Sequence, residues 1–197
     1  NPLHGSCHIL TTDFLRQASP VLIRMRGAME LYIPTARAAL YAATFHTVPL
    51  RLVGGAPVVA IDAGGARVVC TVDTGAPGPI ARGTQAVGML PRNICRQTPF
   101  VSRQSGVNGD TVCSSIIVAP ITIAGGPSFA SVPIFVNSAP VEGTDGYVGM
   151  GLLRAFDLLF TETAFGIRAS GIPPRALEEY SSVPGQCIDT GCLAQGA

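Results

Sequence analysis

The residues with the clearest capacity for chemistry are four consecutive positions, Asp73, Thr74, Gly75 and Ala76. They directly follow the apolar run 68–72, which has the β-branched composition of a buried strand. A carboxyl group at the end of a buried strand is costly unless it has partners or a task. Thr74 offers a hydroxyl, and Gly75 lets another backbone approach closely because it has no Cβ. Asp73 is therefore a candidate for proton transfer, which positioned carboxyl groups can perform.

The same three residue types occur again near the end of the chain, at Asp189, Thr190 and Gly191. Asp-Thr-Gly is also an ordinary turn sequence, so the three residues alone do not identify a site. The residues before Asp189 have the composition of a loop, and only six residues follow Gly191. We interpret this second copy as part of a surface loop between Cys187 and Cys192. The spacing is compatible with a disulfide between these two cysteines that closes the loop.

A later segment has a pattern that fits the motif at Asp73. Two hydrophobic residues, the second of them Val148, are followed by Gly149. A short helix-like turn containing Leu152 comes next, and an apolar run at 158–160 predicts a strand. This order, with strand-like runs between it and the motif, is much more specific than either segment alone.

A hairpin is predicted between these two segments. Its tip contains an Asn-Gly pair, which favours the positive φ angles of tight turns. The five residues of this tip are Ser105, Gly106, Val107, Asn108 and Gly109.

The order of these features resembles that of the aspartic proteases. In that family a hydrophobic-Asp-Thr-Gly-Ala motif follows a hairpin, a flap hairpin comes next, and a hydrophobic-Gly-helix-strand segment packs against the catalytic loop. The resemblance covers about residues 47–169 and not the two ends. A two-lobed enzyme needs two domains of about 100–150 residues each, which is more than this chain has. The chain therefore resembles the single-lobed, retroviral-type retropepsins, and the resemblance implies an all-β fold with a closed β-barrel lobe.

The resemblance also implies a mechanism. A single lobe must form a twofold-symmetric homodimer, in which one Asp73 activates a water as general base while its protonated counterpart polarises the scissile carbonyl of a polypeptide substrate. Thr74 would hydrogen-bond across the dimer, Gly75 would permit the close approach, and Ala76 would complete the loop. The hairpin tip at 105–109 would be the flap that closes over the substrate. No metal ion or other cofactor is implied.

The elements that must position these residues are mostly short β-like runs separated by Gly and Pro. Runs at 58–61 and 66–72 flank a Gly-Gly hairpin turn, and further runs lie at 48–53, 116–118, 121–123, 131–136 and 165–168. We predict three parts. Residues 1–46 form an N-terminal extension with a helix over 35–44, residues 47–170 form the protease-like domain, and residues 171–197 form a C-terminal helix and tail.

Two departures from the family favour a second hypothesis. Pro77 and Pro79 follow the motif where an extended segment is usual, and they remove two backbone donors. The stem at 101–105 has no aromatic residue. The alternative is a catalytically silent domain of the same fold that serves as a structural or interaction component of a larger assembly, such as a viral particle.

The composition excludes several classes of protein. The 197 residues carry a formal net charge of +1, with 13% charged and 47% hydrophobic residues. Disordered chains have low hydrophobicity and high net charge, and nucleic-acid-binding domains usually have a basic excess. No uninterrupted apolar stretch is long enough for a membrane span, which needs about 18 residues. We therefore expect neither nucleic acid nor a membrane span, and so few charges favour a surface that a partner covers.

The cysteine and histidine pattern leaves the compartment open. Six cysteines at irregular spacings are compatible with either thiols or disulfides. His4, Cys7 and His8 are metal-ligand types at close spacing, but zinc needs four ligands and no second cluster follows. We interpret this segment as a flexible terminus.

Overall fold

In the part of the chain that the structure describes, the regular elements are almost all β-strands. A computed structural model describes residues 19–26, 28–32, 42–76, 78, 80–82, 96–105, 111–137, 143–182 and 186–189. In these ranges the strands are β1 (Val21–Arg26), β2 (Ala28–Tyr32), β3 (His46–Pro49), β4 (Arg51–Val53), β5 (Ala56–Ala63), β6 (Ala66–Val72), β7 (Ile80–Arg82), β8 (Arg96–Ser105), β9 (Thr111–Ile123), β10 (Ser128–Asn137), β11 (Gly146–Val148), β12 (Phe156–Phe160), β13 (Ala164–Ala169) and β14 (Gln186–Asp189). A one-turn α-helix, α1 (Met150–Leu153), precedes β12, and a 3₁₀ helix (Leu177–Ser182) precedes β14.

The strands form two sheets. The larger has the order β14-β8-β9-β10-β7-β11-β6-β5-β4, with an extra pairing between β5 and β9, and the smaller has the order β2-β1-β12-β13-β3. The predicted all-β fold is confirmed. The chain does not form the single closed barrel that we predicted: the β5–β9 pairing links inner strands of the larger sheet in a ring, but β4 and β14 remain as edges and five strands form a second sheet.

The hairpin that leads to Asp73 forms as predicted. Strands β5 and β6 pair up to Ala63 and Ala66, so Gly64 and Gly65 make a two-residue turn. Both glycines have positive φ angles, 62° and 93°, which residues with a Cβ rarely adopt. The Asp62 carboxylate accepts a hydrogen bond of 2.7 Å from the Gly65 amide and fixes the turn.

Three of the predicted runs differ in the structure, where one divides and two merge. The run 48–53 is not one strand, because β3 pairs with β13 in the smaller sheet while β4 pairs with β5 in the larger one. Leu50 lies between them, and its amide donates a hydrogen bond to the carbonyl of Thr163. The runs 116–118 and 121–123 belong to the single long strand β9, which passes through Pro120.

The two ends of the chain are built into the sheets where the structure describes them. Strand β1 pairs with β12, and its residues Val21, Leu22 and Ile23 are buried, so this part of the N-terminal segment is β-structure. Most of the helix predicted over 35–44 lies outside the described residues. Past residue 170, the chain forms a 3₁₀ helix rather than an α-helix beginning near 173, and then a strand, β14, rather than a loop.

The main hydrophobic core takes side chains from both sheets. Its largest fully buried members include Ile121, Leu152, Phe156, Leu158 and Phe165. A smaller, separate cluster lies beside the segment that follows β6, and its buried members are Ala76, Ile116, Phe135 and Tyr180. No helix within the described ranges is long and apolar enough to cross a membrane.

Candidate active site

Asp73 directly follows the hairpin strand β6. The hydrogen bonding between β6 and the parallel strand β11 extends one residue further, to Asp73. Val72 is paired with Val148, and the amide of Asp73 donates a hydrogen bond of 3.0 Å to the carbonyl of Val148. The backbone that carries the carboxylate is therefore held by an inner strand pair of the larger sheet, which gives it a rigid base.

The loop after β6 orients its own carboxylate. Oδ1 of Asp73 accepts a hydrogen bond of 2.8 Å from the Gly75 amide, and the Asp73 carbonyl accepts one of 3.3 Å from the Ala76 amide. This is an Asx-type turn, in which a short side chain caps the backbone two residues on. A Cβ on Gly75 would lie 3.2 Å from the same Oδ1, so glycine fits here most easily.

The exposure of the four motif residues differs. Asp73 is half-buried, Thr74 and Gly75 are exposed, and Ala76 is buried. The second carboxylate oxygen of Asp73, Oδ2, accepts no hydrogen bond from any described residue. One oxygen is thus engaged in holding the turn.

The predicted second segment packs directly against this loop. Gly149 lies against the loop so closely that a Cβ there would overlap the carbonyl oxygens of Ala76 and Gly78. The next amide, that of Met150, donates a hydrogen bond of 2.8 Å to the carbonyl of Ala76. Val148 and Leu152 are fully buried in the main core. The structure therefore brings Asp73, Ala76, Val148 and Gly149 together, and Leu152 anchors the helical turn behind them.

The predicted flap is only partly described. Strands β8 and β9 pair antiparallel up to Ser105 and Thr111, which is the pairing that a hairpin with a tip at 105–109 requires. Gly106, Val107, Asn108 and Gly109 lie outside the described residues. The stem carries a third strand that the sequence did not predict, because β14 pairs with β8.

The second Asp-Thr-Gly sequence lies in a different setting from the first. Asp189 is the last residue of β14, paired with Val101 on the outer edge of the larger sheet. It is therefore a strand residue and not part of the loop that we expected. Thr190 and Gly191 lie outside the described residues, and Cys187 is a free thiol rather than one half of a disulfide.

The other aspartates whose side chains are described have structural partners. Asp157, 2% exposed, forms an ion pair of 2.7 Å with Arg168. Asp145 accepts a hydrogen bond of 2.8 Å from the amide of Val69. These two carboxylates join separate parts of the chain, whereas the carboxylates of Asp62 and Asp73 bond only within their own turns among the described residues.

Cys70 is a buried ionisable group close in sequence to Asp73, and it lies on β6, the strand that leads to Asp73. Burial, and to a smaller extent the nearby Asp145, raises the pKa of its thiol from 9.0 to about 12. The thiol therefore stays protonated at neutral pH, and a protonated thiol is a poor nucleophile. Cys70 acts as a small core residue.

Metal ligands do not gather in the described part of the chain, where no three His, Cys, Asp or Glu side chains come together. His4, Cys7 and His8 lie outside it.

Tyr180 is a residue near the loop that sequence reasoning did not single out. It is fully buried in the 3₁₀ helix, against Phe135 and the backbone of Gly78. Its only sequence signal is an aromatic residue at the end of a short predicted helix beyond the protease-like domain.

Comparison with known proteins gives similarity to solved structures alone. No protein-family model and no curated protein matches the sequence. Among solved structures, the chain is similar to that of a retropepsin-like aspartic protease from Rickettsia conorii, with 16% identity and a TM-score of 0.43. The match covers 62% of this chain and 89% of that one. At this identity the similarity concerns the fold and not the activity.

Proposed function

We propose that the chain is an aspartic endopeptidase of the retropepsin type that acts as a homodimer, with Asp73 of each subunit forming the catalytic pair. The observation that carries the proposal is the way the Asp73 carboxylate is held. Its backbone is fixed by the Val148 carbonyl, one oxygen is fixed by the Gly75 amide, and no described residue donates a hydrogen bond to Oδ2. The cap alone does not distinguish Asp73, because Asp62 caps a structural turn in the same way. What supports a catalytic role is that the second segment, from Val148 to Met150, packs directly against the loop that carries Asp73.

Peptide hydrolysis by this route needs two carboxyl groups. When two carboxyl groups lie close together, they share one proton, because like charges so near one another are not easily both ionised. The paired aspartates of aspartic proteases are the well-known example of such coupling. The ionised Asp73 takes a proton from water, which attacks the scissile carbonyl carbon, while the protonated Asp73 of the partner subunit donates to the carbonyl oxygen. Proton transfer to the leaving nitrogen then completes the cleavage.

The exposed tip of the loop suits a symmetric contact. Thr74 and Gly75 project from a loop whose other residues are half-buried or buried. In a twofold dimer the same patch of each chain meets itself, so these two residues would lie at the contact beside the paired carboxyl groups. The substrate is a polypeptide that the hairpin formed by β8 and β9 would cover.

The test is cleavage of a peptide library by the wild-type chain and by Asp73→Asn, read by mass spectrometry from acidic to neutral pH. The amide oxygen of asparagine can still accept the Gly75 hydrogen bond, so the loop is expected to keep its shape. Asp62→Asn is the matched control, because Asp62 caps a turn in the same way but lies at the other end of β5 and β6. We expect cleavage by the wild type and the control, and none by Asp73→Asn.

Two results would overturn the proposal. Unchanged cleavage by Asp73→Asn would remove Asp73 from the site. No cleavage by a wild-type chain shown to be dimeric by sedimentation would instead favour the second candidate, a catalytically silent structural component of a larger assembly. The low share of charged residues, 13%, is the observation that favours this candidate, because an extensive covered surface needs few charges.

A further inference from the structure

The loop that carries Asp73 has a second support, which comes from the C-terminal part of the chain. Tyr180 has no exposed surface and belongs to a buried cluster with Ala76, Ile116 and Phe135. The cluster is separate from the main core that holds Val148 and Leu152. Ala76 therefore connects the candidate active-site loop to a cluster built partly by the 3₁₀ helix.

The contact between Tyr180 and the loop lies at Gly78. A Cβ on Gly78 would lie 2.9 Å from both Cε1 and Oη of Tyr180 and 2.6 Å from Cε2 of Phe135. The two rings themselves meet edge to face, with centroids 4.9 Å apart and planes at 75°. The backbone at Gly78 thus lies directly on a pair of packed aromatic rings, with no room for a side chain.

The second segment also contacts Gly78. A Cβ on Gly149 would overlap the carbonyl oxygen of Gly78 and come within 2.8 Å of its amide nitrogen. The backbone at Gly78, just after the motif, therefore contacts both Gly149 and the rings of Tyr180 and Phe135.

The 3₁₀ helix is fastened to the same helical turn that contacts the loop. The amide of Arg175 donates a hydrogen bond of 2.6 Å to the carbonyl of Gly151 in α1. Glu179 forms an ion pair of 2.8 Å with Arg154, which follows α1. The guanidinium of Arg175 also lies 5.4 Å from the centre of the Tyr180 ring, within range of a cation–π contact. Tyr180 is thereby held in a fixed position relative to α1.

The hydroxyl of Tyr180 lies as close to Gly78 as the ring does, but it makes no hydrogen bond there. Among the described residues the buried Oη has no hydrogen-bond partner, and burial raises the pKa of the phenol well above its usual range. A neutral hydroxyl without a partner contributes no directional bond to the loop. Phenylalanine at position 180 is therefore expected to support the loop as tyrosine does, whereas a branched aliphatic residue is not.

We propose that Tyr180 is a positioning residue for the catalytic loop: its ring supports the backbone at Gly78 and so holds Asp73 in place. The inference rests on the proposed function for its catalytic meaning, but its structural content can be tested without activity. Tyr180 lies beyond residue 169, where the resemblance to the aspartic proteases ends. The proposal therefore gives the segment after residue 170 a role in holding the site that this resemblance does not imply.

The first test measures amide hydrogen exchange in the full chain for wild type, Tyr180→Leu and Tyr180→Phe. Tyr180→Leu is expected to raise exchange at Gly75, Ala76 and Met150 by about tenfold through local opening, while Tyr180→Phe keeps the wild-type rates. The matched control is Phe160→Leu, which removes a buried ring paired with Phe165 at 5.1 Å in the smaller sheet. This control is expected to lower overall stability without a selective effect on the loop.

A second variant keeps the test decisive if Tyr180→Leu does not fold. Gly78→Ala pushes the loop away from the rings while leaving Tyr180 unchanged, and the same three amides are expected to exchange faster. Unchanged loop exchange in either folded variant, or an equal rise in Phe160→Leu, would overturn the proposal.

Activity gives a separate readout. If the chain is a protease, Tyr180→Leu is expected to lower kcat by about tenfold or more with little change in KM, because small misplacements of a catalytic group act on the chemical step. Tyr180→Phe should restore kcat. Selective loop exchange in a chain without protease activity would refute the proposed function and leave the positioning contact standing. A drop in KM and kcat together with unaltered loop exchange would contradict the positioning role.

Discussion

The amide of Met150 donates a hydrogen bond of 2.8 Å to the carbonyl of Ala76, so the helical turn of one segment begins on the loop that carries the candidate catalytic aspartate. The two residues are separated by more than seventy positions in the chain. The bond needs the backbones to approach closely, and Gly149 permits that approach because a side chain there would overlap the Ala76 and Gly78 carbonyls. The geometry of the loop therefore depends on a residue far from it in sequence.

Gly149→Ala is expected to destabilise the fold by about 3 kcal/mol, since the added methyl meets backbone atoms that cannot rotate away. Chemical denaturation measures the change in the free energy of unfolding. Gly171→Ala is the control, because Gly171 has a φ of 85° but nothing within 4 Å of an added Cβ. That control tests backbone strain alone and is expected to cost about 1 kcal/mol. A smaller loss for Gly149→Ala than for the control would show that the loop yields easily.

Arg168→Met is expected to destabilise the chain by about 3 kcal/mol, because the buried carboxylate of Asp157 loses the cation 2.7 Å away. The Arg168 side chain also donates to Thr44 and lies over the ring of Phe45, and methionine keeps part of that packing. Urea denaturation of Arg168→Met, Asp157→Asn and the double variant gives the coupling between them. The double variant is expected to lose less than the sum of the single variants, and strict additivity would mean that the pair does not interact.

Cys70 is expected to make the chain less stable as pH rises from about 9 to about 12. The pKa of the buried thiol is raised from 9.0 to about 12. The unfolded chain therefore releases this proton near pH 9 while the folded chain keeps it. Between these two pH values the unfolded state binds fewer protons than the folded state, so the free energy of unfolding falls as the pH rises. The stabilisation that the protonated thiol contributes is fully present below pH 9.

Denaturation midpoints measured over this range for wild type and Cys70→Ala check the prediction. The variant should lose stability less steeply, although the buried Tyr180 phenol, whose pKa is also raised, adds a decline of the same sign above pH 10. Alkylation at pH 8 gives a second measurement. Cys113 and Cys187 are exposed free thiols and should react in the folded chain, while Cys70 should not. Equal labelling of all three would contradict the burial of Cys70.

Much of the architecture could be predicted from local sequence signals. The hairpin at Gly64 and Gly65 forms because these two residues accept positive φ, and the apolar run after it forms a strand that ends at Asp73. The pairing of Val148 with Val72 agrees with the hydrophobic-Gly pattern that singled out the second segment. These signals depend on the conformational preferences of a few adjacent residues, so the chain itself carries them.

Other features depend on which distant residues meet, and only the tertiary structure decided them. The run 48–53 divides because β3 and β4 find partners in different sheets, a choice set by β13 and β5. Strand β14 forms because the edge of β8 offers unpaired backbone groups, although its own sequence resembles a loop. Tyr180 acquires its place only where Gly78 and Phe135 leave room for its ring. Asp73 was visible in the sequence, while the contacts that hold it are made by residues from several separate parts of the chain.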